Sequence, residues 1–142
     1  MIVCIDTNVL VQLFGAKSPY PEIKAALAGG RITLAVSTDI LLEYEEVIIR
    51  LSSAYRWQTV SVWLDSLSAL HRNVRRHDPP FRFRVITSDP DDNNKFVDCA
   101  IAAEAGFIPT EDADFAALRA AGYKPQPSTP SEFISRHLAQ SD

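Results

Sequence analysis

The chain has 142 residues, of which 46% are hydrophobic and 23% charged, with a formal net charge of -4. This length suits a single domain over 1–142 with enough apolar sequence for a core, and the acidic balance argues against a globally basic, non-specific nucleic-acid binder while leaving room for a local basic patch. No stretch reaches the roughly 18 apolar residues of a membrane span, and Asp6 interrupts the first apolar run before a signal-peptide core can form. The expected setting is cytoplasmic, with no membrane partner.

Residues 2–5, IVCI, predict a short central strand covered on both faces, followed by a helix over 8–14. Pro19 and Pro21 mark a turn and the start of a second helix, which Gly29-Gly30 ends. ITLAVS (32–37) is the next strand, after which Ser37, Thr38 or Asp39 can cap the long helix ILLEYEEVIIRL. A further helix covers about 56–70. Residues 71–84, HRNVRRHDPPFRFR, break the pattern: Pro79-Pro80 prevents helix, and FRFRVI reads as an alternating strand. DPDDNN is an acidic turn, KFVDCAIAAEAG a helix closed by Gly106, FIPT a short strand, and EDADFAALRAAG a helix stopped by Gly122. PQPSTP is a proline-rich loop, and Thr129-Pro130-Ser131-Glu132 starts the last helix, EFISRHLA, with proline at the first helical position and a capping-box glutamate.

Strands separated by helices define an α/β domain with a mainly parallel sheet, whose ligand site lies outside the carboxyl ends of the strands. Asp6 sits at that edge. Cys4 and Cys99 lie inside apolar segments and read as buried free thiols.

Several carboxylates fall where patterning does not explain them. Glu43 lies at the margin of the apolar stripe formed by Ile40, Leu41, Tyr44, Val47, Ile48 and Leu51. Asp98 is an acid in a helix that is apolar in nearly every direction, a placement that requires a partner. Asp6 and Asp112 each follow a strand; each can simply cap the next helix, as can Asp114. Convergence of Asp6, Glu43, Asp98 and Asp112 would cause severe repulsion without a cation. An oxygen-only set without Cys or His suits a hard ion such as Mg²⁺ or Mn²⁺, which can activate water for phosphodiester cleavage.

These segments resemble the PIN-domain family of metal-dependent ribonucleases, which includes the VapC-type toxins of bacterial toxin-antitoxin pairs. The resemblance is carried, in the family's order, by IDTNVL at 5–10, STDILLE at 37–43, DPDDNNKFVDCAIAA at 89–103 and TEDADF at 110–115. It implies a three-layer α/β/α sandwich and makes Asp6, Glu43, Asp98 and Asp112 the catalytic, metal-binding set, with Asp114 in reserve for the last position. Asn8 and Thr110 match positions that support the family's site by hydrogen bonds. The loop DPDDNNKF carries one asparagine more than the family's DPDDNKF, and Asp91 and Asp92 stay outside the expected metal set. The resemblance further implies an RNA substrate, a cognate antitoxin that obstructs the site, and a homodimer.

Of the 14 Lys and Arg residues, Arg72, Arg75, Arg76, Arg82 and Arg84 cluster within 71–84, interleaved with Phe81 and Phe83. Such a cluster can hold a phosphate backbone and stack a base, although the plainer reading, arginines protecting a solvated strand edge, takes precedence. The expected activity is therefore that of a Mg²⁺- or Mn²⁺-dependent endoribonuclease, the toxin of a toxin-antitoxin pair. The alternatives are a non-catalytic PIN-like module that holds RNA or protein, and a nuclease of RNA processing.

Overall fold

A computed structural model describes residues 1–139; residues 140–142 of the expected domain lie outside the described part. Five short strands form one all-parallel sheet: β1 (Ile2–Val3), β2 (Thr33–Val36), β3 (Val74–Arg76), β4 (Phe107–Pro109) and β5 (Gln126–Ser128), in the order β3-β2-β1-β4-β5. Seven helices connect and cover them in the α/β/α arrangement expected: α1 (Thr7–Leu13), α2 (Pro21–Ala28), α3 (Thr38–Leu51), α4 (Ala54–His71), α5 (Asn94–Ala102), α6 (Leu118–Ala121) and α7 (Pro130–Phe133). None of the described helices is long and apolar enough to cross a membrane.

β1 is the central strand, and Val3, Cys4 and Ile5 are fully buried, which is why IVCI carries no polar alternation. The chain runs outward from β1 through β2 to β3, then returns to the other side of β1 for β4 and β5. Loops leaving β1 and β4 therefore diverge, and the crevice at such a switch point is where parallel sheets place ligands. Asp6 follows β1, and Thr110 to Asp112 follow β4. Tyr44, fully buried on α3, donates its hydroxyl to the Ile5 carbonyl at 2.5 Å and so ties α3 to the end of the central strand.

The capping residues largely behave as their chemistry requires. Ser37 accepts from Ile40 N–H at the start of α3, and Thr129 accepts from Glu132 N–H at the start of α7, with Pro130 in the first turn. Gly122 ends α6 at φ 76°, a conformation glycine adopts without steric cost.

Five local expectations are corrected. FRFRVI forms no strand: the edge beside β2 is taken by Val74–Arg76, and the backbone of 81–86 is claimed by side chains of α5. Phe83 N–H goes to Asp98, Ile86 N–H to Asn94 Oδ1, and Asn94 Nδ2 to the Ile86 carbonyl, while Arg84 at φ 52° breaks the extended run. PQPSTP is not wholly loop, because Gln126–Ser128 adds the edge strand β5, where Pro127 is tolerated. The left-handed turn after α5 falls on Glu104 at φ 56°, not on Gly106. Residues 113–121 divide into a 3₁₀ turn over Ala113–Ala117 and the short α6, and α7 continues into a π turn over Ile134–Leu138.

Candidate active site

Asp6 is both a helix cap and a buried acid, so the two readings of the sequence coexist. Its Oδ1 accepts from Thr7 N–H at 2.8 Å, and its Oδ2 from the Thr110 hydroxyl at 2.7 Å. Only 5% of Asp6 is exposed, and this burial holds its carboxyl above the usual aspartate range. The two hydrogen bonds pull in the opposite direction, while the nearby charges of Asp112 and Glu43 add to the rise. Asn8, one position further along α1, is exposed beside it.

Glu43 reaches the same place from α3. Its Oε2 accepts from the buried Thr7 hydroxyl, and its Oε1 meets Lys95 Nζ at 2.6 Å. Both side chains of that ion pair are largely covered, 13% exposed for Lys95 and 19% for Glu43. Lys95 also lies 3.3 Å from Asp92 Oδ2. Burial disfavours the ammonium charge, but the contacts with Glu43 and then Asp92 outweigh it and raise Lys95 above the ordinary lysine value.

Asp112 lies at the start of the 3₁₀ turn after β4, which it caps by accepting from Asp114 N–H at 2.9 Å. Its own N–H donates to Thr110 Oγ1 at 2.9 Å, and its Oδ2 accepts from Asn93 Nδ2 at 2.9 Å. A continuous ladder results: Glu43, Thr7, Asp6, Thr110, Asp112 and Asn93 are joined by hydrogen bonds across the ends of β1 and β4. Asp6, Asn8 and Asp112 line an opening of about 500 Å³, with Glu111 at its rim.

Asp98 opens onto a neighbouring cleft of about 530 Å³ that also carries Asp89, Asp92, Lys95, Arg82 and Arg84. It is 6% exposed and accepts from Phe83 N–H at 3.0 Å through Oδ1. Burial raises its pKa; the Phe83 N–H and the Arg82 guanidinium oppose the rise, and Asp92 and Asp89 add to it. The two openings are stitched together at Asn93, whose backbone N–H goes to Asp89 Oδ1 while its side chain holds Asp112. Lys95 makes a second link, since it lines the cleft of Asp98 and pairs with Glu43 of the ladder.

Thus Asp6, Glu43 and Asp112 share one hydrogen-bonded ladder, while Asp98 lies around the corner, one helical turn beyond Lys95 on α5. Among the described residues, the group of acids whose ligand oxygens lie within 4.8 Å of one another is Asp91, Asp112 and Asp114. Asp91 stood outside the set read from the sequence; the chain brings it there because Asp89 accepts from the N–H groups of Asn93 and Asn94 and folds the acidic loop over the start of α5. Lys95 and Thr7 were also missed. Lys95 precedes Asp98 by three residues and so shares its helical face, a spacing signal visible in the sequence; Thr7 carried no such signal.

The arginine cluster divides. Arg72 takes the left-handed position that ends α4, Arg75 Nε donates to the Arg72 carbonyl at 3.0 Å, and Arg76 Nε lies 3.4 Å from Asp78. Arg82 and Arg84 instead line the Asp98 cleft, together with Phe81, which is 69% exposed. Cys4 and Cys99 are buried free thiols, as expected.

A parallel sheet with acids gathered at its switch point defines an α/β domain whose candidate site lies at the carboxyl ends of β1 and β4. The PIN-domain family matches residues 2–114, and the chain belongs to that family, whose members are generally nucleases. No curated protein matches the chain.

Proposed function

We propose that this PIN domain is a Mg²⁺- or Mn²⁺-dependent endoribonuclease that hydrolyses RNA phosphodiester bonds and acts as the toxin of a toxin-antitoxin pair. The observation that supports it is the ladder of Glu43, Asp6 and Asp112, joined through Thr7 and Thr110 at the switch point, with Asp98 in the adjoining cleft. The donor set is all oxygen, without Cys or His, which fits a hard divalent ion.

In this reading Asp6, Glu43, Asp98 and Asp112 hold the ion, and Asn8 and Thr110 support it by hydrogen bonds. Asp112 is preferred to Asp114 because Thr110 and Asn93 fix it to the ladder, whereas Asp114 is exposed. Bound there, a divalent ion would neutralise charge at the phosphodiester and lower the pKa of a nearby water relative to bulk water. Arg82 and Arg84 hold the RNA backbone beside Asp98, and the exposed ring of Phe81 stacks an unpaired base. A cognate antitoxin obstructs the site with an inserted segment, and the working form is a homodimer. A small DNA-binding gene overlapping this one upstream separates the toxin from an RNA-processing nuclease.

The test is cleavage of a mixed RNA substrate with Mg²⁺, Mn²⁺ or EDTA, beside Asp98→Asn, which keeps an acceptor for Phe83 N–H and hence the local fold. Metal-dependent cleavage that the variant loses is the expected result. Normal cutting by the variant sinks the site assignment, and absence of both cleavage and any divalent-ion effect on the melting temperature favours a non-catalytic binding module.

A further inference from the structure

The least expected group in the acidic site is the ammonium of Lys95. It approaches Glu43 Oε1 to 2.6 Å, keeps Asp92 at 3.3 Å, and is 13% exposed, so the contact is held within the protein rather than in bulk water. The other oxygen of Glu43 already accepts from the Thr7 hydroxyl, so both oxygens of this carboxylate are engaged by donors of the chain itself. A divalent ion ligated by Glu43 would stand within a few ångströms of Nζ, where a charge of +2 and a charge of +1 repel strongly in a partly desolvated setting.

We propose that Lys95 is a resident counter-cation of the acidic site, which competes with the divalent ion for Glu43 and sets the affinity with which that ion is held. This rests on the reading of Glu43 as a metal ligand. The lysine neutralises the site when no metal is present and leaves Oε1 when one enters. Its stem is flexible and already faces the cleft of Asp92, Arg82 and Arg84, which leaves Asp92 as a partner for the displaced ammonium. The arrangement explains why a half-buried glutamate and a half-buried lysine are placed in contact beside acids that would otherwise repel one another.

The experiment is a Mn²⁺ titration of wild type, Lys95→Met, Lys95→Gln and Lys95→Arg, following free Mn²⁺ by electron paramagnetic resonance and recording the metal-free melting temperature. Methionine keeps the stem without the charge, glutamine keeps a donor without the charge and serves if the methionine variant does not fold, and arginine keeps the charge. Both neutral variants are expected to bind Mn²⁺ roughly tenfold more tightly or better than wild type, to melt lower without metal, and to gain more on metal addition, while the arginine variant stays near wild type. If wild type binds Mn²⁺ and the neutral variants bind it no more tightly, the counter-cation role is overturned while the metal site stands. If no form binds Mn²⁺, the metal reading of the site fails, and the competition proposed here fails with it.

Discussion

Asp6 shows how one side chain serves stability and chemistry in opposite ways. As the cap of α1 it satisfies Thr7 N–H, but its burial beside Asp112 and Glu43 raises its pKa. In the window between the ordinary aspartate value of 3.8 and the raised native one, the folded protein binds more protons than the unfolded chain, so stability falls as pH rises through it. Above the native pKa the penalty is complete; below 3.8 it is absent. Asp6→Asn keeps a side chain that caps helices well and removes the charge. The variant is expected to melt above the metal-free wild type at neutral pH, with the advantage shrinking as pH falls through the window, and to lose any gain from divalent ions. A pH series of melting curves with and without Mg²⁺ checks all three.

At the level of elements, the site depends on where β3 and α5 are anchored. Asn73, 2% exposed just before β3, donates Nδ2 to the Leu27 carbonyl at 2.8 Å and the Ile32 carbonyl at 3.0 Å, joining the end of α2 to the approach of β2. Asn73→Ala takes the donor from the Ile32 carbonyl, while the Leu27 carbonyl keeps Gly30 N–H, and at about 1–3 kcal/mol for an unsatisfied buried group the loss is expected at about 1–3 kcal/mol. Urea denaturation measures it; a change below about 0.5 kcal/mol would mean that water replaces the amide. On the other side, Asp89 takes the place of a side-chain cap for α5 by accepting from both Asn93 and Asn94 N–H at 2.7 Å. The two adjacent asparagines at the start of α5 both have partners: Asn93 reaches to Asp112, and Asn94 clamps Ile86. The same clamps prevent FRFRVI from pairing as a strand and turn Arg82 and Arg84 toward Asp98.

The whole molecule carries its net negative charge with a local division: acids gather at the strand ends, and a pair of arginines stands at the cleft beside them. If that pair holds RNA, replacing both Arg82 and Arg84 by Ala is expected to weaken RNA binding and to flatten the dependence of log affinity on log salt by about 0.7 for each single-strand phosphate that is no longer neutralised. Replacing Arg72 and Arg75, which are engaged at the end of α4, is expected to leave that slope unchanged. Fluorescence anisotropy of a labelled RNA across a salt series, with EDTA present to prevent cleavage, measures both slopes.

Much of this architecture was legible in the residues alone, because it depends on local chemistry. The uninterrupted apolar IVCI determines a central buried strand, Pro21 and Gly29 bound α2, Ser37 and Thr129 cap their helices, and an acid in a helix as apolar as α5 announces an unusual environment at Asp98. Only the tertiary structure decided that Val74–Arg76 rather than FRFRVI joins the sheet, that Thr7 and Thr110 link Asp6 with Glu43 and Asp112, that Lys95 pairs with Glu43, and that Asp91 comes beside Asp112. The physical reason is separation along the chain. Capping and burial periodicity act over a few residues, whereas the pairing of Lys95 with Glu43 spans 52 positions and that of Thr110 with Asp6 spans 104, so these partners are selected by the packing of β1, β4, α3 and α5 and not by their sequence neighbours.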